Sequence, residues 1–126
     1  MSTATTRGVR VEVRSRYVPE HSDPPRRWVF AYEVTIQNES EIPVQLLARH
    51  WVIEDGEGQV EEVRGPGVVG QQPRLEPGEG FRYVSAAPLT TPVGAMHGSY
   101  RMVPDEGEPF EAAIAPFTLA DPDYLN

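Results

Sequence analysis

The sequence predicts an all-β protein, an immunoglobulin- or fibronectin type III-like sandwich of about seven to eight antiparallel strands. Short runs of alternating apolar and polar residues recur along the chain, which is typical of strands with one buried face. The 13 prolines and 11 glycines are spread between these runs, where turns are needed. No window of ten or more residues has the apolar period and caps of an amphipathic helix. A small barrel is the alternative arrangement.

The first half of the chain predicts three strands. Residues 1–8 show no apolar pattern and are expected to form a flexible N-terminal tail, which leaves 9–126 as a single domain. The run from Val9 to Tyr17 alternates valines with charged residues and predicts a strand with one face in water. The run from Trp28 to Ile36 places five apolar side chains on one face, and Val44 to Glu54 is apolar on both faces, which indicates a central strand.

The second half of the chain predicts hairpins joined by glycine and proline turns. Asp55 to Gly58 has the residue types of a hairpin turn, from which Gln59 to Arg64 returns. A Pro-Gly corner then leads into an alternating run from Phe81 to Ser85, where the chain crosses between sheets. The last hairpin pairs Ser99–Val103 with Phe110–Leu119.

Composition excludes several classes of function. The chain has no cysteine, which excludes a disulfide framework, a thiol nucleophile and a cysteine-based zinc site. Its net charge of −8 disfavours nucleic acid as a partner, because phosphate repels an acidic surface. No stretch approaches the roughly 18 apolar residues of a membrane span, and no secretory signal precedes the domain, so we expect a cytoplasmic protein. We expect no cofactor.

Four segments of the chain together resemble the bacterial ApaG family. They are an Arg-His-Trp segment before an acidic turn, a glycine-rich segment, a Leu-x-Pro-Gly-x-x-Phe-x-Tyr-x-Ser segment and a Gly-x-Met-x-Gly-x-Tyr-x-Met segment. Each alone is a weak signal, but four in this order make a specific match that covers about positions 9 to 119. The segments are Arg49–Asp55, Val63–Pro73, Leu75–Ser85 and Thr91–Met102.

The resemblance implies a fibronectin type III-like ApaG domain without a defined reaction. It also implies an association with cobalt resistance and magnesium efflux, and with the locus of a diadenosine tetraphosphate hydrolase. A similar domain is attached to some eukaryotic F-box proteins, where it is thought to mediate protein contacts. No catalytic constellation is visible in the residues, so we interpret the chain as a binding module for another protein and not as an enzyme. The residues leave open whether the protein forms a homodimer.

The protein-contact surface is predicted on the strand around His50–Ile53 and on the loops at 65–73 and 91–98. Trp51 has the opposite parity to Leu46, which suggests a groove or interface position. The histidines lack the spacing of a metal site. The candidate protein-contact residues are Arg49, His50, Trp51, Met96 and His97.

A Gly-x-Gly-x-x-Gly run suggests an alternative, the binding of phosphate or a dinucleoside polyphosphate. Two prolines follow within seven residues and prevent the helix on which a dinucleotide site depends. A tight connection between strands is therefore the favoured interpretation, although glycine amides can bind an anion without a helix. The candidate ligand-binding residues are Arg64, Gly65, Gly67, Gly70 and Arg74.

The acidic hairpin suggests a further alternative, a divalent-cation sensor. Carboxylate oxygens are the ligands that Mg²⁺ and Ca²⁺ prefer, but the spacing of a calcium loop is absent. An exposed acidic turn that favours solubility is the preferred interpretation. The weak metal candidates are Glu54, Asp55 and Glu57, with Glu61 and Glu62 nearby.

Overall fold

The computed structural model describes residues 1–124 and consists of nine strands with two short 3₁₀ turns. No helix in this part of the chain has the length and apolar character of a membrane span. The turns are Pro19–His21 and Pro122–Tyr124. The strands are β1 (Ser2–Thr6), β2 (Val9–Tyr17), β3 (Trp28–Asn38), β4 (Val44–Asp55), β5 (Val60–Pro66), β6 (Arg74–Leu75), β7 (Gly80–Leu89), β8 (Val93–Pro104) and β9 (Phe110–Ala120).

Two antiparallel sheets pack face to face, which confirms the predicted sandwich. The first sheet has the strand order β1-β2-β3-β7. The second has the order β5-β4-β8-β9, and the short strand β6 pairs with β4 beyond the end of β5. The central position predicted for the strand from Val44 is confirmed, because β4 lies between β5 and β8.

The core lies between the sheets and follows the alternation of the sequence. Side chains at every second position of β3 and of the first half of β2 are buried, while the residues between them face outward. This is the pleat of a strand with one buried face, and burial of large apolar side chains contributes about 1.5–3 kcal/mol each. The inward side chains of these two strands are Val9, Val11, Val13, Trp28, Phe30, Tyr32, Val34 and Ile36.

The N-terminal segment is not a flexible tail, and that prediction is wrong. Ser2 to Thr6 forms β1, which pairs along its whole length with the first half of β2. The segment lacks large apolar residues because it lies at the margin of the sandwich, yet its threonines are branched at Cβ and suit an extended strand. A turn at Arg7 and Gly8, both with positive φ, connects the two strands.

The two sides of the sandwich are closed differently. Along one side, hydroxyl groups of the first sheet bond to the free edge of β9. The Thr6 Oγ1 accepts the Ala113 N–H at 3.0 Å, and the Ser15 hydroxyl donates to the Thr118 carbonyl at 2.9 Å. Along the other side, no backbone hydrogen bond joins β5 to β7 in residues 1–124. That side therefore ends in two unpaired strand edges.

Candidate functional site

Two of the predicted protein-contact residues are core residues, and their assignment to a surface is wrong. Trp51 is 3% exposed and Met96 is 1% exposed. The Trp51 ring packs against the rings of Tyr32 and Phe117, with centroids 5.2 and 5.9 Å apart. The parity argument failed because the β4–β8 register shifts between Leu46 and Ala48, so that Leu46 and Trp51 both face inward.

The two predicted histidines lie on the outer face of the second sheet. The register places His50 beside Arg64 and Ser99, while His97 faces Val52 on the neighbouring strand. The His50 Nε2 lies 2.7 Å from the Glu62 Oε1, and this hydrogen bond lowers the pKa of the exposed Glu62 carboxyl. An open groove of about 630 Å³ runs over this face, between β5 and the β8–β9 ladder.

The charged groups of that groove are already paired within the chain. Besides the bond to His50, Glu62 forms an ion pair with Arg64 at 3.5 Å. On the far side of the groove, Arg101 forms an ion pair with Glu111 at 3.1 Å. A protein that bound in this groove would therefore meet positive and negative groups that neighbouring side chains already partly neutralise.

Arg49 has an internal role and is half-buried between the sheets. Its Nη1 donates to the carbonyl oxygens of Pro66 and Gly67, at 2.9 Å each. The guanidinium also fills the space beside Gly65, where a Cβ atom would overlap it. Arg49 thus fixes the start of the glycine-rich stretch, which is a different task from the protein contact predicted for it.

The glycine-rich stretch forms a tight turn whose amides bond within the protein. The N–H of Gly67 donates to the Leu47 carbonyl at 2.8 Å, and Val68 and Gln71 exchange hydrogen bonds of 2.8 and 2.9 Å. Between them, Val69 and Gly70 have φ values of 42° and 78°, the left-handed pair that a two-residue turn needs. The amides of Gly67, Val68 and Gln71 are therefore engaged with protein carbonyls and are not offered to an anion.

The two arginines predicted to flank an anion are engaged elsewhere. Arg64 lies on β5 and pairs with Glu62. Arg74 bonds to the carboxylates of Glu76 and Asp105, and the bond to Glu76 is the main reason that its pKa is raised. The structure thus places both arginines beside carboxylates instead of bringing them to the turn at Val69.

The acidic hairpin is organised around one carboxylate. The Asp55 Oδ1 accepts the N–H groups of Glu57 at 2.9 Å and Gln59 at 3.0 Å, so this side chain caps the turn between β4 and β5. Within residues 1–124, no three His, Asp or Glu side chains come together in an arrangement able to hold a metal ion. Asp55 therefore has a structural role, while Glu54 and Glu57 are exposed.

Comparison with known proteins shows which family shares this sequence and fold. The family model described as DUF525, the ApaG domain, matches residues 19–104. The chain belongs to the ApaG family. Protein ApaG of Anaeromyxobacter dehalogenans strain 2CP-C is 56% identical over 126 residues, the full length of both chains.

Solved structures agree with the ApaG assignment. The crystal structure of a protein described as the putative ApaA protein of Bordetella pertussis is 56% identical and has a TM-score of 0.88, covering 90% of this chain and 94% of its own. A structural-genomics target solved by X-ray crystallography is 41% identical with a TM-score of 0.89, covering 98% and 94%. The predicted family resemblance and fold are both confirmed.

Within this ApaG domain, two tyrosine hydroxyls meet at a position that sequence patterns identify only as core. Tyr83 of β7 and Tyr100 of β8 are hydrogen-bonded to each other across the sandwich, and both are buried. Burial raises the pKa of both phenols, because charged phenolate is poorly solvated between the sheets. Alternation identifies both residues as inward, but the bond between them depends on how the sheets face each other.

The unpaired edge of β7 is the other feature of this ApaG domain that the residue pattern does not reveal. The Asn38 N–H donates to the Glu79 carbonyl at 2.9 Å, and this fixes which residues of β3 point toward β7. Alternate residues of an antiparallel strand bond to opposite neighbours. With Val34 opposite Tyr83 in the register, the N–H and C=O groups of Arg82, Val84 and Ala86 point away from β3.

Proposed function

We propose that this ApaG domain is a non-catalytic module that binds another protein by accepting an extended segment along β7. The observation that carries the proposal is the unpaired edge of that ten-residue strand. Backbone N–H and C=O groups in a row are a template for one more strand, and addition of a strand is a recurrent mode of peptide recognition. The contacts are made by the main chain, while neighbouring side chains provide selectivity.

The edge of β7 is less protected than the edges of β5 and β9. Side-chain hydroxyls of β1 and β2 cover the edge of β9. On β5, the residues with outward amides include the charged Glu62 and Arg64, and Pro66 ends the strand. Charged residues and proline are the usual means of blocking an edge. On β7, the matching positions are Arg82, Val84, Ala86 and Pro88, so this edge also ends in a proline but carries only one charge, with the exposed apolar Val84 near its centre.

The groove around His50 ranks second as a contact surface. His50, Arg64 and Arg101 already have carboxylate partners, and Arg49 donates to main-chain carbonyls, so a partner protein would have to replace interactions that exist in the free domain. In this proposal, the family's association with cobalt resistance and magnesium efflux acts through the bound protein, within the cytoplasm. No contact in the glycine turn or the acidic hairpin favours a phosphate or cation function over protein binding.

A site-specific photo-crosslink tests the proposal in the cell. Benzoylphenylalanine in place of Ala86 puts the reactive group beside the outward edge of β7. The variant Val84→Pro removes one outward N–H and no bond to β3, because proline is tolerated on the open side of an edge strand. The matched control is Val60→Pro, at the edge of β5, where Val60 is 59% exposed against 58% for Val84.

We expect a discrete crosslinked species whose mass is the same in repeated experiments. Val84→Pro removes this species, and Val60→Pro leaves it unchanged. The proposal is overturned if the adduct persists in Val84→Pro, or if both proline variants lose it equally while their thermal unfolding stays cooperative. Thermal melts of both variants show whether either has lost its fold.

A further inference from the structure

We infer that the segment bound along β7 is acidic, with carboxylate side chains on the outer face of the first sheet. This inference rests on the proposed strand addition and specifies the partner's chemistry. A strand added to β7 continues the same pleated surface, so alternate side chains of the partner lie beside the outward residues of the first sheet. The charges on that surface therefore select the partner.

The outer face of the first sheet is basic in a chain that is strongly acidic. The chain carries a net charge of −8. On this face, the outward positions of β2, β3 and β7 carry four arginines against two glutamates. Acidic residues lie mostly in the turns and on β5. The charged residues of the face are Arg10, Glu12, Arg14, Arg16, Glu33 and Arg82.

Two of these arginines have no carboxylate partner within the described chain. Glu12 forms ion pairs with Arg10 and Arg14, at 3.4 Å each. In residues 1–124, neither Arg16 nor Arg82 has a carboxylate oxygen within 4.0 Å, although both are exposed. Arg82 lies on the edge itself, with its own backbone groups directed at the added strand. An acidic side chain in the next position gains an ion pair without displacing an existing one.

A shallow depression on the same face receives the partner's side chains. It has a volume of about 380 Å³ and lies across β2, β3 and β7. Ala31 and Val84 form its apolar part, Arg14 and Arg16 line it from β2, and Glu33 lies between Arg14 and Val84. The register places Ala31 between Ala86 and Arg16, so a partner carboxylate beside Ala86 reaches across two small residues toward Arg16. An extended segment that alternates carboxylates with branched apolar residues therefore complements the edge and the depression.

A second copy of the chain fits this edge less well. Pairing β7 with β7 would join two basic faces into one continuous surface, and like charges on a shared sheet face disfavour association. Nucleic acid also presents negative charge, but it lacks the alternating N–H and C=O groups that the edge of β7 needs. Both occupants appear as outcomes of the experiment below.

An NMR titration with synthetic peptides tests the inference on the full chain. The probes are two blocked octapeptides, one alternating Glu with Val and the other alternating Lys with Val, and a control oligothymidylate. We expect the glutamate peptide to shift the amide signals of Arg82, Val84 and Ala86, and the lysine peptide to bind more weakly. Arg82→Gln lowers the affinity for the glutamate peptide about three- to fivefold, as expected for the loss of one exposed ion pair. Arg64→Gln on β5 is the matched control and leaves binding unchanged.

The possible results separate the two claims. Equal or tighter binding of the lysine peptide at the same amides overturns the acidic partner and leaves strand addition standing. Absence of shifts at these amides with either peptide at millimolar concentration overturns both claims. Tighter binding of the oligothymidylate at Arg16 and Arg82, or self-association through β7 in sedimentation experiments, also overturns the acidic peptide.

Discussion

At the scale of single residues, the tyrosine pair shows how a polar group is accommodated in an apolar core. Tyr83 and Tyr100 come from different sheets, and each hydroxyl provides the partner that the other needs. A buried hydroxyl without a partner costs about 1–3 kcal/mol, whereas a matched pair is nearly neutral relative to two apolar groups. The pair therefore favours one alignment of the sheets over others that bury the same surface.

We expect Tyr100→Phe to lower the free energy of unfolding by about 1–3 kcal/mol, because the Tyr83 hydroxyl stays buried without its partner. Tyr83→Phe/Tyr100→Phe costs less than the sum of the single variants. Both phenol pKa values are raised in the folded state, so their contribution is complete below pH 10 and is lost as pH rises beyond that. The free energy of unfolding of the double variant therefore falls less steeply with rising pH above pH 10 than that of the unchanged protein. Urea unfolding at pH 7 and pH 10.5 checks this, and additive single effects would contradict it.

Predictability at this scale depends on whether a strand is regular. For β2 and β3, parity alone identifies the buried residues, because neither strand is interrupted. For β4, the register shift after Leu46 reverses the parity. The alternation of the sequence therefore does not predict that Trp51 faces inward. A bulge leaves little trace in residue types, since Leu47 is as apolar as its neighbours.

At the scale of elements, the glycine-rich turn is held by its backbone. Gly67 has a φ of 59° and is buried against the Gln71 carbonyl, so both its conformation and its lack of a side chain are needed. The loop is further tied to β4 by the Gln72 side chain, which donates to the Leu47 carbonyl at 2.9 Å. The residue types favour a tight connection here, and the hydrogen bonds of the turn agree with this prediction.

We expect Gly67→Ala to lower the free energy of unfolding by about 2–4 kcal/mol, because it adds a steric overlap to the strain of a left-handed residue. Gly58→Ala is the matched control, since Gly58 has a φ of 81° and no atom lies within 4 Å of an added Cβ. The control loses only the conformational part, about 1–2 kcal/mol. Chemical denaturation measures both, and equal losses would show that the packing of Gly67 is not important.

β1 shows the limit of apolar patterning for elements. Its inward side chains are small. The strand is held by a complete ladder with β2 and by the hydrogen bond of the Thr6 hydroxyl to β9. Such a strand resembles a polar tail in sequence. Only the fold, which places β9 beside β1, shows that the Thr6 hydroxyl accepts a hydrogen bond from a neighbouring strand.

At the scale of the whole molecule, the sandwich has one side closed by hydroxyl groups and one side left with free edges. The turn positions, most of the strands and the core of β2 and β3 were predictable because they depend on local alternation and turn residues, whereas β1 and the buried Trp51 were not. The free edge of β7 was not, because it depends on the strand order and on the absence of a strand beyond it. The basic outer face likewise appears only when three strands are aligned in register.

The central claim is that β7 is open in the free domain and becomes paired in the complex. Amide hydrogen exchange tests it most directly, with alternate residues of one strand as internal controls. In the free protein, we expect fast exchange at Arg82, Val84 and Ala86, and slow exchange at Tyr83 and Ser85, whose amides point to β3. Addition of the glutamate–valine peptide slows exchange at the first three only. Uniform protection of β7 in the free protein, or protection that does not change when the peptide binds, would contradict the account.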